Sequence, residues 1–240
     1  MSGASRTSRT AGRRARSVTL AAGLAILATG AAEWASARDR TGAESSAPTI
    51  TLRVYDYVHV TRPTLLAAKS EATVILARAG VEARWVDCPT SQAQMDSYTD
   101  CQSAWQATDY VLRVLPNTMV DSRAKWQEAL GSTPECRGVA TCTSSVFYDR
   151  VAALAQGASA TLPVLLGRVM AHEIGHLLLG ANSHSRTGIM RAFWSGRDLS
   201  LDGRPYLLFT PEQSRQMKAR LAERAQAWQP QGEAAALGRR

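Results

Sequence analysis

Three features of the 240-residue sequence predict an α+β fold with a mixed, twisted sheet of about four strands. A strand-helix-strand unit opens the ordered region, two further strand-like stretches follow it, and a nearly all-apolar helix and a capped final helix close the chain. Ile50, Leu52 and Val54 alternate with Thr51 and Arg53, the period-two pattern of a half-buried strand. Pro63 suits the first turn of a connecting helix, along which Leu65, Ala68, Ala72, Ile75 and Ala79 recur at three- and four-residue spacing until Gly80 ends it. Val81, Ala83 and Trp85 alternate with Glu82 and Arg84, so a second strand follows at once, and the short joints favour parallel pairing. Tyr110 to Leu115 and Ser144 to Tyr148 read as two more strands, with Tyr148, Asp149 and Arg150 ending the second in a turn with an ion pair. Pro89 to Gln106 and Asn117 to Thr143 are polar and turn-rich, hence surface loops, the second with a helical turn around Ala124 to Leu130. Leu162 to Leu179 is apolar almost all round, as a buried helix is. Thr210-Pro211-Glu212-Gln213 carries a capping box and starts a helix that runs to about Trp228.

The net charge is +8, and half of it lies in the first 37 residues, where five Arg face the single Glu33. What remains is too modest to call for a nucleic-acid partner. The same stretch has a basic start, the 15-residue apolar run Val18 to Ala32, and small residues at Ala35 and Ala37. This is the pattern of a secretory signal peptide over 1–37, and the run is shorter than the roughly 20 residues of a spanning helix. A secreted or periplasmic location without stable membrane insertion is expected, by the Sec route. Twin-arginine export is the alternative suggested by Arg13 and Arg14, and an uncleaved anchor is a further one. A flexible linker over 38–48 and a disordered tail over 229–240 flank the domain, which is expected to be a monomer. Because about a dozen residues separate the cleavage point from the first strand, no sizeable inhibitory propeptide is expected. Four cysteines, Cys88, Cys101, Cys136 and Cys142, allow three pairings. Short loop closure favours Cys88 with Cys101 and Cys136 with Cys142, and neither pair has zinc-ligand spacing.

Within the apolar helix stands His172-Glu173-Ile174-Gly175-His176. Histidines four apart lie on one helix face and can grip one ion, while Glu173 is offset around the axis, where it reaches a water on that ion as a general base. Unpartnered, these polar groups would cost several kcal/mol on a greasy helix. Gly180 can end the helix in a left-handed conformation, so the chain swings back to deliver His184 as a third ligand. Six residues on, Met190 is expected in a turn.

The segment HEIGHLLLGANSHSRTGIM, residues 172 to 190, resembles the metzincin clan of zinc metallopeptidases. The resemblance implies a zincin-like catalytic domain over 49–228, with zinc on His172, His176 and His184, Glu173 as the base, and Met190 as the floor of the site. The sequence departs from the clan's HExxHxxGxxH pattern: Gly180 comes one residue late and His184 two. Asn182 holds the strict third-ligand position but is a poor zinc ligand. A gluzincin reading instead takes Glu212 or Glu223 from the final helix.

Other candidates have plainer readings. His59 is expected on a strand surface, Phe193 and Trp194 in the core, and Asp198 and Asp202 in a turn too sparse for a calcium loop. The expected function is hydrolysis of peptides or proteins: zinc acidifies water and polarises the carbonyl, and Glu173 shuttles the proton to the leaving amine. The strand at Ser144 to Tyr148 is expected to hold substrate by strand addition. The rival class is a non-catalytic exported domain in which zinc serves stability or partner binding.

Overall fold

The strand-helix-strand opening forms as its periodicity dictates. In the computed structural model β1 spans Thr49–Asp56, α1 Arg62–Arg78 and β2 Glu82–Cys88, and β1 and β2 pair in parallel with Leu52 opposite Trp85. Gly80 adopts φ +74° between α1 and β2, a conformation that costs glycine little. The structure describes residues 46–120, 129–136, 142–196, 198–200 and 207–228. The expected signal peptide, most of the linker, the tail, Asp202 and most of the helical turn expected from Ala124 lie outside these residues.

β3 (Asp109–Leu115) flanks β1 on its other side, and β5 (Thr143–Phe147) flanks β3, both in parallel. A fifth strand completes the sheet: β4, Gly131–Ser132, pairs antiparallel with β5, giving the order β2-β1-β3-β5-β4. Two sequence expectations are corrected here. The segment before Thr143 is not only a surface loop, because it supplies this strand. The residues Tyr148 to Arg150 do not form a turn; they begin α2, Tyr148–Gln156, whose first turn is held by Asp149 accepting from the Asn117 amide. Arg150 donates to the Ala129 carbonyl.

The pleat sends Ile50, Leu52, Val54, Leu112, Ser144 and Val146 to one face of the sheet, where α1 and α3 (Leu162–Leu179) cover them. The helices cross closely at Gly167, where an added Cβ would lie 2.5 Å from the Ala68 carbonyl oxygen. Fourteen of the eighteen α3 residues are buried, so its polar groups must find partners inside the protein. By length and composition α3 could cross a membrane, but 78% of it is buried within the fold. Arg168, wholly buried on α3, lies 3.5 Å from Glu71 of α1 and donates to the Asp198 and Ser200 carbonyls.

α4, Pro211–Ala227, starts with the expected capping box: Thr210 and Gln213 each accept from the other's backbone amide. Met217 and Leu221 bury its inner face, and Arg220 caps the end of α3 at the Leu179 carbonyl.

Candidate metal centre

α3 places His172 and His176 on one face, one turn apart, and Gly180 ends the helix at φ +100°. The chain turns back through Ser183 and brings His184 beside them, although its spacing is two residues longer than the metzincin pattern. The Nε2 atoms of His172 and His184 each lie 3.1 Å from His176 Nε2, and the three rings' ligand atoms fall within 4.8 Å of one another.

Hydrogen bonds on the far side of the rings set their tautomers. His172 Nδ1 donates to the Ile189 carbonyl at 2.7 Å, and His176 Nδ1 faces the Gly180 carbonyl at 3.2 Å and the Ser183 hydroxyl at 3.0 Å. A carbonyl only accepts, so these Nδ1 atoms carry the protons and the two Nε2 atoms present bare lone pairs to each other. Lone pairs 3.1 Å apart repel unless a cation lies between them. A tetrahedral zinc with bonds of about 2.0–2.1 Å spaces its ligand atoms about 3.3 Å apart, close to the 3.1 Å of the two pairs that share His176. Burial holds the His172 imidazolium's pKa down to about 4, aided by its neighbours His176 and His184, and burial also lowers those of His176 and His184. Each shift favours the neutral imidazole that ligation requires. The residues fit a zinc ion.

The surrounding elements fix this arrangement. The turn after His184 is clamped by the Ser185 amide donating to the Met190 carbonyl, and by Gln213 of α4 donating to the Ser185 hydroxyl. Gly188 takes φ +76° with the Leu208 carbonyl 2.2 Å from where a Cβ would be. Met190, wholly buried, lies under the helix: a Cβ on Gly175 would sit 2.3 Å from its sulfur and 2.8 Å from Phe209. The glycine inside the HEIGH motif therefore exists for close packing.

Glu173 is 5% exposed and points toward the sheet edge. Its Oε2 accepts from the Thr133 hydroxyl at 2.6 Å and from Ser144 at 3.4 Å. Burial pushes its carboxyl up to about 7, against these two hydrogen bonds, which pull it down. Sequence reasoning missed Thr133 and Ser144. Ser144 was readable as an inward-facing polar residue among strand apolars; Thr133 carried no signal.

The remaining candidates are placed elsewhere. Glu212 is exposed and paired with Arg215, and Glu223 is exposed, so neither joins the imidazoles. Asn182 is exposed. His59 is not on a strand surface but in the turn after β1 at φ +58°, exposed. Phe193 is 81% exposed rather than in the core, while Trp194 is half-buried, its ring 5.8 Å from that of His172. Asp198 is buried and accepts from Arg191, the Ser195 amide and the Ser195 hydroxyl, which fastens the turn bearing Trp194. The disulfides join Cys88 to Cys101 and Cys136 to Cys142. A cavity of about 220 Å³ lies on the other face of the sheet, lined by Arg53 and Asp109, which pair with each other.

No protein-family model and no curated protein matches the chain. Among solved structures it is similar to a zinc-dependent peptidase from Methanocorpusculum labreanum, at 15% identity and TM-score 0.46, over 69% of this chain and 99% of that one. It is also similar to archaemetzincin from Methanopyrus kandleri, at 16% identity and TM-score 0.43, over 75% and 98%. A third is metalloproteinase-II from Bacteroides fragilis, at 12% identity and TM-score 0.44, over 73% of this chain and 54% of that chain. Likenesses this slight establish neither family nor function.

Proposed function

We propose that the protein is an exported zinc metallopeptidase of metzincin type, in which His172, His176 and His184 hold the ion and Glu173 is the general base. The observation that carries this reading is the convergence of three imidazoles, two of them on the same helix as a buried carboxylate with Nε2 lone pairs turned inward by their Nδ1 bonds, and the third brought in by the turn beyond that helix. When bound, zinc supplies Lewis acidity, polarising a carbonyl and acidifying water toward a pKa of ~7.

The chain's own residues do the rest. Glu173 Oε2 is engaged by Thr133, so Oε1 is the oxygen that accepts the proton of the attacking water and returns it to the leaving amine. Met190 and Phe209 press on the helix backbone at Gly175 and keep the first two imidazoles from shifting. Among the described residues the outermost strand on this side is β4, so an extended substrate would pair with β4 and not, as the sequence reading has it, with β5. Export by the signal-peptide pattern at 1–37 is part of the same reading, since both cysteine pairs are oxidised.

The test is hydrolysis of a quenched-fluorescent peptide mixture by the zinc-loaded protein and by Glu173→Gln. Cleavage that disappears in the variant while zinc content persists supports the reading. Cleavage that survives the substitution removes Glu173 as base, and a wild-type protein that binds zinc but cleaves nothing favours the non-catalytic alternative.

A further inference from the structure

A short segment far from the metal-binding motif is shaped around the Glu173 carboxylate. At Gly131 of β4 an added Cβ would lie 2.5 Å from Glu173 Oε1, so only glycine leaves that oxygen its place. Two residues on, the Thr133 hydroxyl lies 2.6 Å from Oε2, 2.6 Å from the Ser144 hydroxyl and 3.2 Å from the Glu173 carbonyl. Thr133 has one proton to give, and the carboxylate is the stronger acceptor at the shorter distance. The Ser144 proton then turns to Thr133, with Glu173 Oε2 at 3.4 Å as its second acceptor, and the hydroxyls form a short relay that ends on Oε2.

The two hydroxyls come from the two arms of one antiparallel hairpin. Ser132 pairs with Ser145, which puts Thr133 and Ser144 next in line. Between them, Cys136 and Cys142 are joined by a disulfide with Cα atoms 4.7 Å apart. Ser144 is wholly buried, and the β-branched Thr133 has few rotamers open to it.

We propose that Thr133 and Ser144 are positioning residues for the catalytic base: a hydroxyl pair, held by the disulfide-closed β4–β5 hairpin, that fixes Oε2 of Glu173 and leaves Oε1 to take the proton. The proposal rests on the peptidase reading, in which Glu173 is the base. Because the donors are neutral, they orient the carboxylate without cancelling its charge, as an arginine would.

The experiment measures kcat, KM and zinc content for the zinc-loaded wild type, Thr133→Val and Thr133→Ser on the best-cleaved peptide of the mixture. Thr133→Val should lower kcat by about 10- to 100-fold at unchanged KM and zinc content, since small misplacements of a reacting group have effects of that order, and Thr133→Ser should recover most of the loss. A wild type that cleaves nothing defeats the peptidase reading; a wild type that cleaves while Thr133→Val matches its kcat, or fails only by losing zinc, defeats the positioning role. Thermal unfolding gives a readout free of turnover. Thr133→Val should lower Tm by about 3 °C or more in the wild-type background, and by little in Glu173→Leu, where no carboxylate is left unpaired. Equal drops in both backgrounds would overturn the pairing.

Discussion

Two buried carboxylates, Asp109 and Glu173, sit on opposite faces of the same sheet and are held by opposite means. Asp109 accepts twice from Arg53, whose guanidinium also donates to the Cys101 and Ser103 carbonyls and stacks 4.3 Å from the Trp105 ring. Glu173 has only hydroxyls as hydrogen-bond partners among the described residues. Each is linked to a disulfide through its partners: Arg53 also donates to the Cys101 carbonyl of Cys88–Cys101, and Cys136–Cys142 lies between Thr133 and Ser144 along the chain. A carboxylate bound twice by a buried guanidinium is tied into the fold and serves structure. One that is desolvated but held by neutral donors keeps its proton affinity near neutrality, which suits proton transfer.

Substitution at the two carboxylates should separate these roles most widely. Glu173→Gln should cost about 10²- to 10⁴-fold in kcat while Tm stays within about 3 °C of wild type. Asp109→Asn should do the reverse, leaving kcat near wild type but lowering Tm by about 10 °C, because it strands the buried Arg53 charge at about 3–5 kcal/mol. Steady-state assays and calorimetry on both variants check this, and a large activity loss in Asp109→Asn alone would erase the distinction.

The disulfides sharpen the same contrast at smaller magnitude. Loop closure over separations of 13 and 6 residues predicts similar stabilisation, about 3 and about 2.4 kcal/mol. Replacing either pair by serines should therefore lower Tm comparably. Only the Cys136→Ser/Cys142→Ser protein should also lose kcat, by several-fold, because its hairpin carries Thr133 and Ser144. Equal kcat in the two double variants would detach the hairpin from catalysis.

Smaller again are two packing changes. Gly175→Ala must displace Met190, an overpacking cost of about 1–3 kcal/mol, read as a lower Tm and weaker zinc retention under a chelator. Thr210→Ala removes the α4 cap, about 1 kcal/mol, with zinc retention unchanged.

What the sequence disclosed follows physical range. Elements written by local periodicity were readable: β1, α1, β2, β3 and α3 lie within a few residues of their predicted bounds, and the α4 capping box is a four-residue signal. The His172–His176 pair is readable because helix geometry alone brings it together. Two-residue β4 has no period to detect, and α2 was hidden because Tyr148, Asp149 and Arg150 read as the end of a strand rather than the first turn of a helix. The environment of Glu173 joins residues 29 and 40 positions apart through strand register, which no local pattern encodes. Phe193 escaped because hydrophobicity says nothing of where a turn leaves a ring.

His184 stands between these cases, predicted on ligand chemistry despite its late spacing and brought by Gly180 and Gln213 to 3.1 Å from His176. Zinc titration of the purified protein against a competing chelator, wild type beside His184→Ala, weighs that residue directly. About one ion per chain in the wild type, and affinity at least ~100-fold weaker in the variant, is the outcome three converging imidazoles require. Equal affinity in the two proteins would mean that the ion, and with it the chemistry assigned to Glu173, is held somewhere else.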